Sequence, residues 1–206
     1  MSWAVWFLFF VTETVLAMTP GPAVLYVVST GLRRGFGASF AASLGVLSAN
    51  TLYFAASALG LGVVIARAAW LFTALKWLGA AYLVWLAVAA FRAKPARAAE
   101  SAVPVATSRW QAYRGGLLLQ LANPKAILFF TALLPQFVHP AARWSVPFQI
   151  LVLGTTSVLS EVIVLAAYGA LAARAARLSD DPRLLVAFER VSGACLLGCA
   201  ALVLAA

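Results

Sequence analysis

Long runs of apolar residues follow one another along this chain, and short stretches with charged or turn-forming residues separate them. The runs cover about 3–28, 38–66, 69–91, 115–138, 146–172 and 185–206, and Glu189 and Arg190 shorten the last one. A helix needs roughly 20 predominantly apolar residues to cross a bilayer, so each run is long enough for one span. The pattern predicts an all-α integral membrane protein with six transmembrane helices.

Proline interrupts the first and the fourth of these runs. Thr19-Pro20-Gly21-Pro22-Ala23 breaks the first run, and Asn123-Pro124-Lys125-Ala126 breaks the fourth. At about 1.5 Å of rise per residue from the nearest basic residues, both breaks fall near the middle of the bilayer. We therefore expect each of these two spans to consist of two half-helices.

The chain divides into two halves with three spans each. Lys76-x-x-Gly79-Ala80 in the third run matches Arg190-x-x-Gly193-Ala194 in the sixth, which indicates a duplication. We expect a single transporter domain over 1–206, and its parts are repeat 1 (about 1–91), a cytoplasmic linker (92–114) and repeat 2 (about 115–206). Because three is odd, the repeats have inverted orientations. Interruptions at corresponding positions of inverted repeats indicate a transporter's binding site, and ordinary proline kinks are the alternative interpretation.

Composition and charge agree with a membrane location. The chain is 64% hydrophobic and 10% charged, whereas soluble domains have about 25% charged residues. The net charge is +9, and the basic residues concentrate in 29–37, 92–114 and 173–184, at the ends of apolar runs. The positive-inside rule places these loops in the cytoplasm and both termini outside. The charge therefore reflects topology, and we expect the lipid bilayer rather than a nucleic acid as partner.

The two breaks offer groups that suit a zwitterion. Pro20 and Pro22 cannot donate hydrogen bonds to the carbonyls of Leu16 and Met18, which leaves acceptors for an ammonium group. The half-helices that start after the breaks direct N–H groups and a positive dipole end toward a carboxylate, and Lys125 adds a full charge there. The predicted substrate-binding residues are Pro20, Gly21, Pro22, Ala23, Asn50, Asn123, Pro124 and Lys125.

Glu13 and Glu161 are the acidic residues that lie inside apolar runs. A carboxylate in a membrane costs at least about 2.5–3.5 kcal/mol unless it is satisfied, so each is a candidate for proton coupling. Tyr168 follows Glu161 by two helical turns and shares its face, and Asn50 with Tyr53 could mirror this pair in the first half. The alternative for both acids is a buried carboxyl group that hydrogen-bonds for helix packing.

The chain resembles the LysE/RhtB family of amino-acid exporters over nearly its whole length. The motifs that carry the resemblance are Pro20-Gly21-Pro22, Leu75-Lys76-x-x-Gly79-Ala80-x-Tyr82-Leu83, and Asn123-Pro124-Lys125-Ala126-x-Leu128-Phe129-Phe130 running into Leu134-Pro135-Gln136-Phe137. The resemblance implies a six-helix inner-membrane exporter of amino acids or similar small metabolites, driven by the proton gradient. Many relatives have Asp or Asn where this chain has Ala23, which indicates a less polar cargo.

Other function classes have less support from the residues. The chain contains no HExxH, GxSxG or phosphate-binding motif, so we predict neither an enzyme nor a cofactor or metal site. A channel or a structural membrane subunit without coupled transport remains the alternative, because broken helices also occur in pores. The expected soluble partners are an amino-acid-like substrate and protons. A homodimer is compatible with this small bundle, although no pattern identifies an interface.

Overall fold

The computed structural model describes residues 1–19, 21–60 and 108–178, together with isolated positions in the third and sixth predicted spans. Within these ranges every regular element is helical, which confirms the all-α class. Pro20, most of the linker 92–114 and nearly all of the predicted third and sixth spans lie outside the described residues. The matching motifs at Lys76 and Arg190 therefore remain predictions.

The first span consists of two half-helices, as the prolines predict. Helix α1 runs over Trp3–Met18 and α2 over Pro22–Arg34, and their axes differ by 51°. Helix α2 ends at Gly35, whose φ of 75° suits glycine because it has no Cβ. Helix α3 then covers Phe36–Ala58 without a break. The predicted loop 29–37 was wrong, because both arginines before Gly35 belong to the last turn of α2.

The second broken span has the same form. Helix α4 covers Arg109–Leu121 and α5 covers Pro124–Leu128, and the chain continues as a π-helical turn, Phe129–Leu133, and a 3₁₀ turn, Leu134–Phe137. The two parts differ in direction by 48°. Helix α4 begins at Arg109 rather than at residue 115, so the end of the predicted linker is helical.

Helix α6, Val146–Leu178, is the longest described element and carries both exposed apolar and buried polar residues. Leu151, Leu159, Ile163 and Leu171 are each about 60–70% exposed. Ser157 and Glu161 of the same helix are buried. By length and composition α3 and α6 can each cross a membrane, and the described residues hold up to four candidate spans if each bent pair is one span.

Small residues let α3 and α4 pack with their backbones in contact. A Cβ at Gly45 would overlap the carbonyl oxygen of Tyr113, and one at Gly116 would overlap the carbonyl oxygen of Ala42. Membrane helices commonly approach each other through such residues. This close pairing brings the end of α4 next to the middle of α3.

Two apolar clusters form the core, and a polar layer lies between them. One cluster includes Val46 of α3 and Leu165 of α6, and the other includes Phe54 of α3 and Leu153 of α6. Between these positions, α3 buries Asn50 and α6 buries polar residues that include Glu161. A group of buried polar side chains therefore lies between the two apolar clusters, next to the break in the second broken span.

Candidate functional site

The end of α1 presents the carbonyl groups that the prolines leave free. The Leu16 carbonyl accepts a hydrogen bond from the Thr19 amide at 3.1 Å and another from Nζ of Lys125. The Met18 carbonyl accepts from the Tyr168 hydroxyl at 2.8 Å, and the Thr19 carbonyl accepts from Nζ of Lys125 at 3.1 Å. All three acceptors thus bind groups that come from the second half of the chain.

Lys125 connects the two breaks. Asn123 is the N-cap of α5, Pro124 follows as its first residue, and Oδ1 of Asn123 accepts the Lys125 backbone N–H at 3.0 Å. This is the arrangement that the sequence predicts for a helix start. From there the partly buried Lys125 side chain crosses to the carbonyls of α1. Its Cδ lies 3.6 Å from where a Cβ on Gly21 would stand, so the two breaks meet at this side chain.

The start of α2 lies beside this lysine. Gly21, Pro22 and Ala23 are all buried, and Gly21 is the N-cap of a 13-residue helix. Glycine has no side chain to cap the first N–H groups of α2, and the N-cap position forms no side-chain hydrogen bond to them. These N–H groups are therefore suited to a ligand's acceptor atom. Pro20 lies outside the described residues.

Glu161 and Asn50 meet in the polar layer between the apolar clusters. Nδ2 of Asn50 donates to Oε2 of Glu161, and Oδ1 of Asn50 accepts from Nε2 of Gln120 at 2.8 Å. Oε1 of Gln120 in turn accepts from Nδ2 of Asn123 at 2.8 Å. All four side chains are at most 8% exposed. A continuous chain of hydrogen bonds therefore joins Glu161 of α6 to the break between α4 and α5.

Glu13 occupies the same layer from the side of α1. Its Oε1 accepts a hydrogen bond from the Ser157 hydroxyl of α6 at 2.5 Å, and the side chain is 7% exposed. The two carboxylates repel each other, and the positive charge of Lys125 attracts both. The two predicted acids, Glu13 and Glu161, therefore interact electrostatically with Lys125, and Glu13 also acts on Glu161.

In each broken span, a tyrosine from the other half of the chain donates a hydrogen bond to the last carbonyl of the first half-helix. The Tyr168 hydroxyl of α6 binds the last carbonyl of α1, at Met18. The Tyr53 hydroxyl of α3 donates to the last carbonyl of α4, at Leu121, at 2.7 Å. The sequence suggested that Tyr53 could mirror Tyr168, and the contacts of the two residues are equivalent.

Two residues that hydrogen-bond to the predicted site residues escaped the sequence analysis. Gln120 precedes Asn123 by three positions on one helix face, and this spacing in an apolar run could have identified it. Ser157 lies one turn before Glu161, but a serine in a membrane helix usually bonds to its own backbone and so gives little indication. Within the described ranges no cluster of side chains could hold a metal ion.

Comparisons with known proteins agree with this architecture. The model of the family described as LysE type translocator matches residues 14–206. An uncharacterized membrane protein of Vibrio cholerae is 35% identical over 95% of this chain and 94% of its own length. No solved structure matches the chain.

The names of two relatives state an activity. The homoserine/homoserine lactone efflux protein of Salmonella typhimurium is 30% identical over 94% of this chain and 92% of its own. The threonine efflux protein of Salmonella typhi is 31% identical over 64% of this chain and 68% of its own. Both names describe export rather than catalysis.

Proposed function

Because the chain belongs to the LysE type translocator family, we propose that it is a secondary exporter of amino acids in the bacterial inner membrane. The efflux activities in the names of its relatives support this cargo class. The observation that carries the proposal is the position of Lys125, which lies in the second break and binds the carbonyls freed by the first. The two interruptions therefore form one site.

The groups at this site suit both ends of a zwitterionic amino acid. Lys125 and the start of α2 beside Gly21 supply positive charge and N–H groups for the carboxylate. The carbonyls of α1 already bind one ammonium group, that of Lys125, which supports their capacity to bind another. Glu13 adds a negative charge that interacts with Lys125. An amino acid can thus bind with its charges satisfied, which transfer into a membrane requires.

Counterflow in proteoliposomes tests the cargo. Vesicles containing the purified protein are loaded with unlabelled homoserine, threonine or leucine and then diluted into a trace of the labelled compound. A carrier accumulates label transiently and saturably, because outward cargo exchanges for inward label. Vesicles without protein are the control. Label that only equilibrates, without an overshoot for any amino acid, would support the channel alternative and contradict the proposal.

Glu161 is the proposed proton-coupling residue, with Glu13 and Tyr168 beside the same site. A buried carboxyl group in a membrane span is a candidate for function by default, and the charges of Glu13 and Lys125 act electrostatically on Glu161. Protons entering from outside would neutralise Glu161 and weaken its hold on the cargo's ammonium. Export would then follow from proton entry.

Glu161→Gln tests this role because glutamine imitates the protonated carboxyl group. We expect the variant to keep energy-independent counterflow and to lose accumulation driven by an imposed pH gradient. Labelled amino-acid flux with and without the gradient measures both. Full gradient-driven accumulation by Glu161→Gln would exclude Glu161 as the coupling group and make Glu13 the candidate.

A further inference from the structure

Three buried side-chain amides connect the proposed proton site to the second break. They belong to Asn50, Gln120 and Asn123, which come from α3, the end of α4 and the N-cap of α5. Each amide donates through its nitrogen to one neighbour and accepts through its oxygen from the other. The result is an unbranched chain from the Lys125 backbone N–H to the Glu161 carboxylate. We name the three amides the relay.

The backbone fixes the direction of the relay. The Lys125 N–H can only donate, so Asn123 must turn its oxygen toward it and its nitrogen toward Gln120. Gln120 must then accept from Asn123 and donate to Asn50, and Asn50 must donate to Glu161. With this direction the Glu161 oxygen that faces Asn50 accepts, which either oxygen of an ionised carboxylate can do and which a neutral carboxyl group can do only with the oxygen that carries no proton.

We propose that Gln120, together with Asn50, is a positioning residue that couples the protonation of Glu161 to the capping of α5 and so to the placement of Lys125. This inference rests on the proposed function. A proton that arrives at Glu161 forms an O–H group, which donates to the oxygen of Asn50 when it faces the relay. Each of the three amide groups then rotates, one after the other, so that its nitrogen and its oxygen exchange places. No proton passes along them, and only their orientation changes.

The reversed relay ends in a conflict at the second break. Asn123 then directs its N–H group at the Lys125 N–H, and two donors cannot form a hydrogen bond. Helix α5 loses its N-cap, which releases the residue whose ammonium binds the Leu16 and Thr19 carbonyls. Protonation of Glu161 thus displaces the ammonium group that the cargo's carboxylate needs, so cargo binding weakens in the same direction as when Glu161 loses its charge.

The charged and titratable groups around Glu161 come from the elements that pack on it. Glu13 of α1 and Lys125 of α5 act on it electrostatically, and Asn50 of α3 binds it directly. Tyr168, on its own helix, binds the end of α1. The relay is the direct hydrogen-bonded route from Glu161 to the start of α5, whereas Glu13 is held by Ser157.

A second buried glutamine provides a matched control. Gln149 of α6 is fully buried and accepts the His139 N–H at 3.1 Å, while its nitrogen donates to the carbonyls of His139 and Trp144. These partners are loop backbone groups. Replacing Gln149 therefore removes three side-chain hydrogen bonds, against two for Gln120, but it leaves the relay unchanged.

The experiment compares Gln120→Met with Gln149→Met in proteoliposomes. We expect Gln120→Met to keep counterflow within about threefold and to lose about tenfold or more of its gradient-driven accumulation, which is the scale of coupling between two sites. The pH profile of counterflow, with equal pH on both sides, should flatten in Gln120→Met and persist in Gln149→Met. Proportional losses of both activities in the two variants, or normal accumulation by Gln120→Met, would overturn the proposal.

Asn123→Asp tests the relay with almost no change in shape. Aspartate keeps the N-cap but offers only acceptors, so Gln120 and Asn50 must reverse and Glu161 must donate. We expect the variant to be inserted normally and to lose gradient-driven accumulation as Glu161→Gln does. Normal accumulation by Asn123→Asp would contradict the relay. If Glu161→Gln itself accumulates cargo normally, the proton site is wrong, whereas a defect confined to Glu161→Gln excludes only the relay.

Discussion

Replacing Lys125 by methionine tests whether the two breaks form one site. Methionine keeps an unbranched apolar stem of similar length, so the packing beside Gly21 is retained. The variant loses the ammonium group and with it the hydrogen bonds to the Leu16 and Thr19 carbonyls. Leu16 keeps a hydrogen bond from the Thr19 amide, so the main loss falls on the connection between the half-helices.

The size of the effect follows from these contacts. A hydrogen bond from a charged group contributes about 1.5–3 kcal/mol, which gives an upper limit of about 3–6 kcal/mol for two. Lys125 is only partly buried, and solvent screening reduces this to about 2–3 kcal/mol. If cargo binding requires the joined breaks, transport at low cargo concentration should fall about 30- to 150-fold.

Initial counterflow rates, normalised to the amount of protein in the vesicles, measure this loss. Arg143→Met is the matched control, because it removes one positive charge from an exposed loop position between the second broken span and α6. We expect it to transport at the wild-type rate. A Lys125→Met variant that transports within about threefold of wild type would refute the reasoning, since a loss that small corresponds to less than about 1 kcal/mol.

Two further substitutions test the geometry of the breaks. Gly21→Ala should transport nearly normally because its Cβ would stand in ordinary contact, 3.6 Å from Lys125 Cδ, whereas Gly21→Leu should overpack the site at about 1–3 kcal/mol and lose most counterflow. Equal rates for the two variants would place Gly21 away from the cargo. Tyr168→Phe and Tyr53→Phe each remove one hydroxyl from a half-helix end, and each should slow counterflow about fivefold, which corresponds to about 1 kcal/mol. A loss in only one of them would show that the two contacts are not equivalent.

Local chemistry made the broken spans predictable. Proline removes a donor wherever it stands in a helix, so the freed carbonyls at Leu16 and Met18 follow from the sequence alone. Asn123 followed by Pro124 is likewise a helix start in almost any context. Glu161 stood out because an acid in an apolar run is costly. Each of these inferences depends on a few neighbouring residues.

The partners of these groups could not be predicted, because they are distant in sequence. The sequence predicts that the Lys125 ammonium binds a carboxylate. In the structure it binds the Leu16 carbonyl at the end of α1, 109 positions away. Gln120 acquires its role only because α3 and α4 pack through glycine at Gly45 and Gly116. Periodicity assigns a residue to a face, but it does not identify the residue opposite.

The predicted helix ends differ from the observed ends for a different reason. The sequence analysis ended the first run at about residue 28 and began the fourth at about 115, yet Arg33 and Arg34 lie in the last turn of α2, and α4 begins at Arg109. Long arginine side chains can reach the membrane surface from within a helix. A basic residue therefore marks where the bilayer ends, and the helix itself continues until a residue such as Gly35 stops it.

The two tyrosine contacts that link the halves of the chain are relevant to the predicted duplication. A hydroxyl from α6 binds the last carbonyl of α1, and a hydroxyl from α3 binds the last carbonyl of α4. If the halves arose as inverted copies, the ancestral protein had one kind of contact between the third helix of one copy and the break of the other copy. After duplication that contact would occur twice, as the two tyrosine contacts do. Each break is then held by the opposite half, so a rocking of one half against the other strains both contacts together. Inverted repeats provide alternating access by such a motion. The two hydroxyls are therefore placed to keep each broken span attached to the opposite half during this motion, and removing either one should slow counterflow to the same extent.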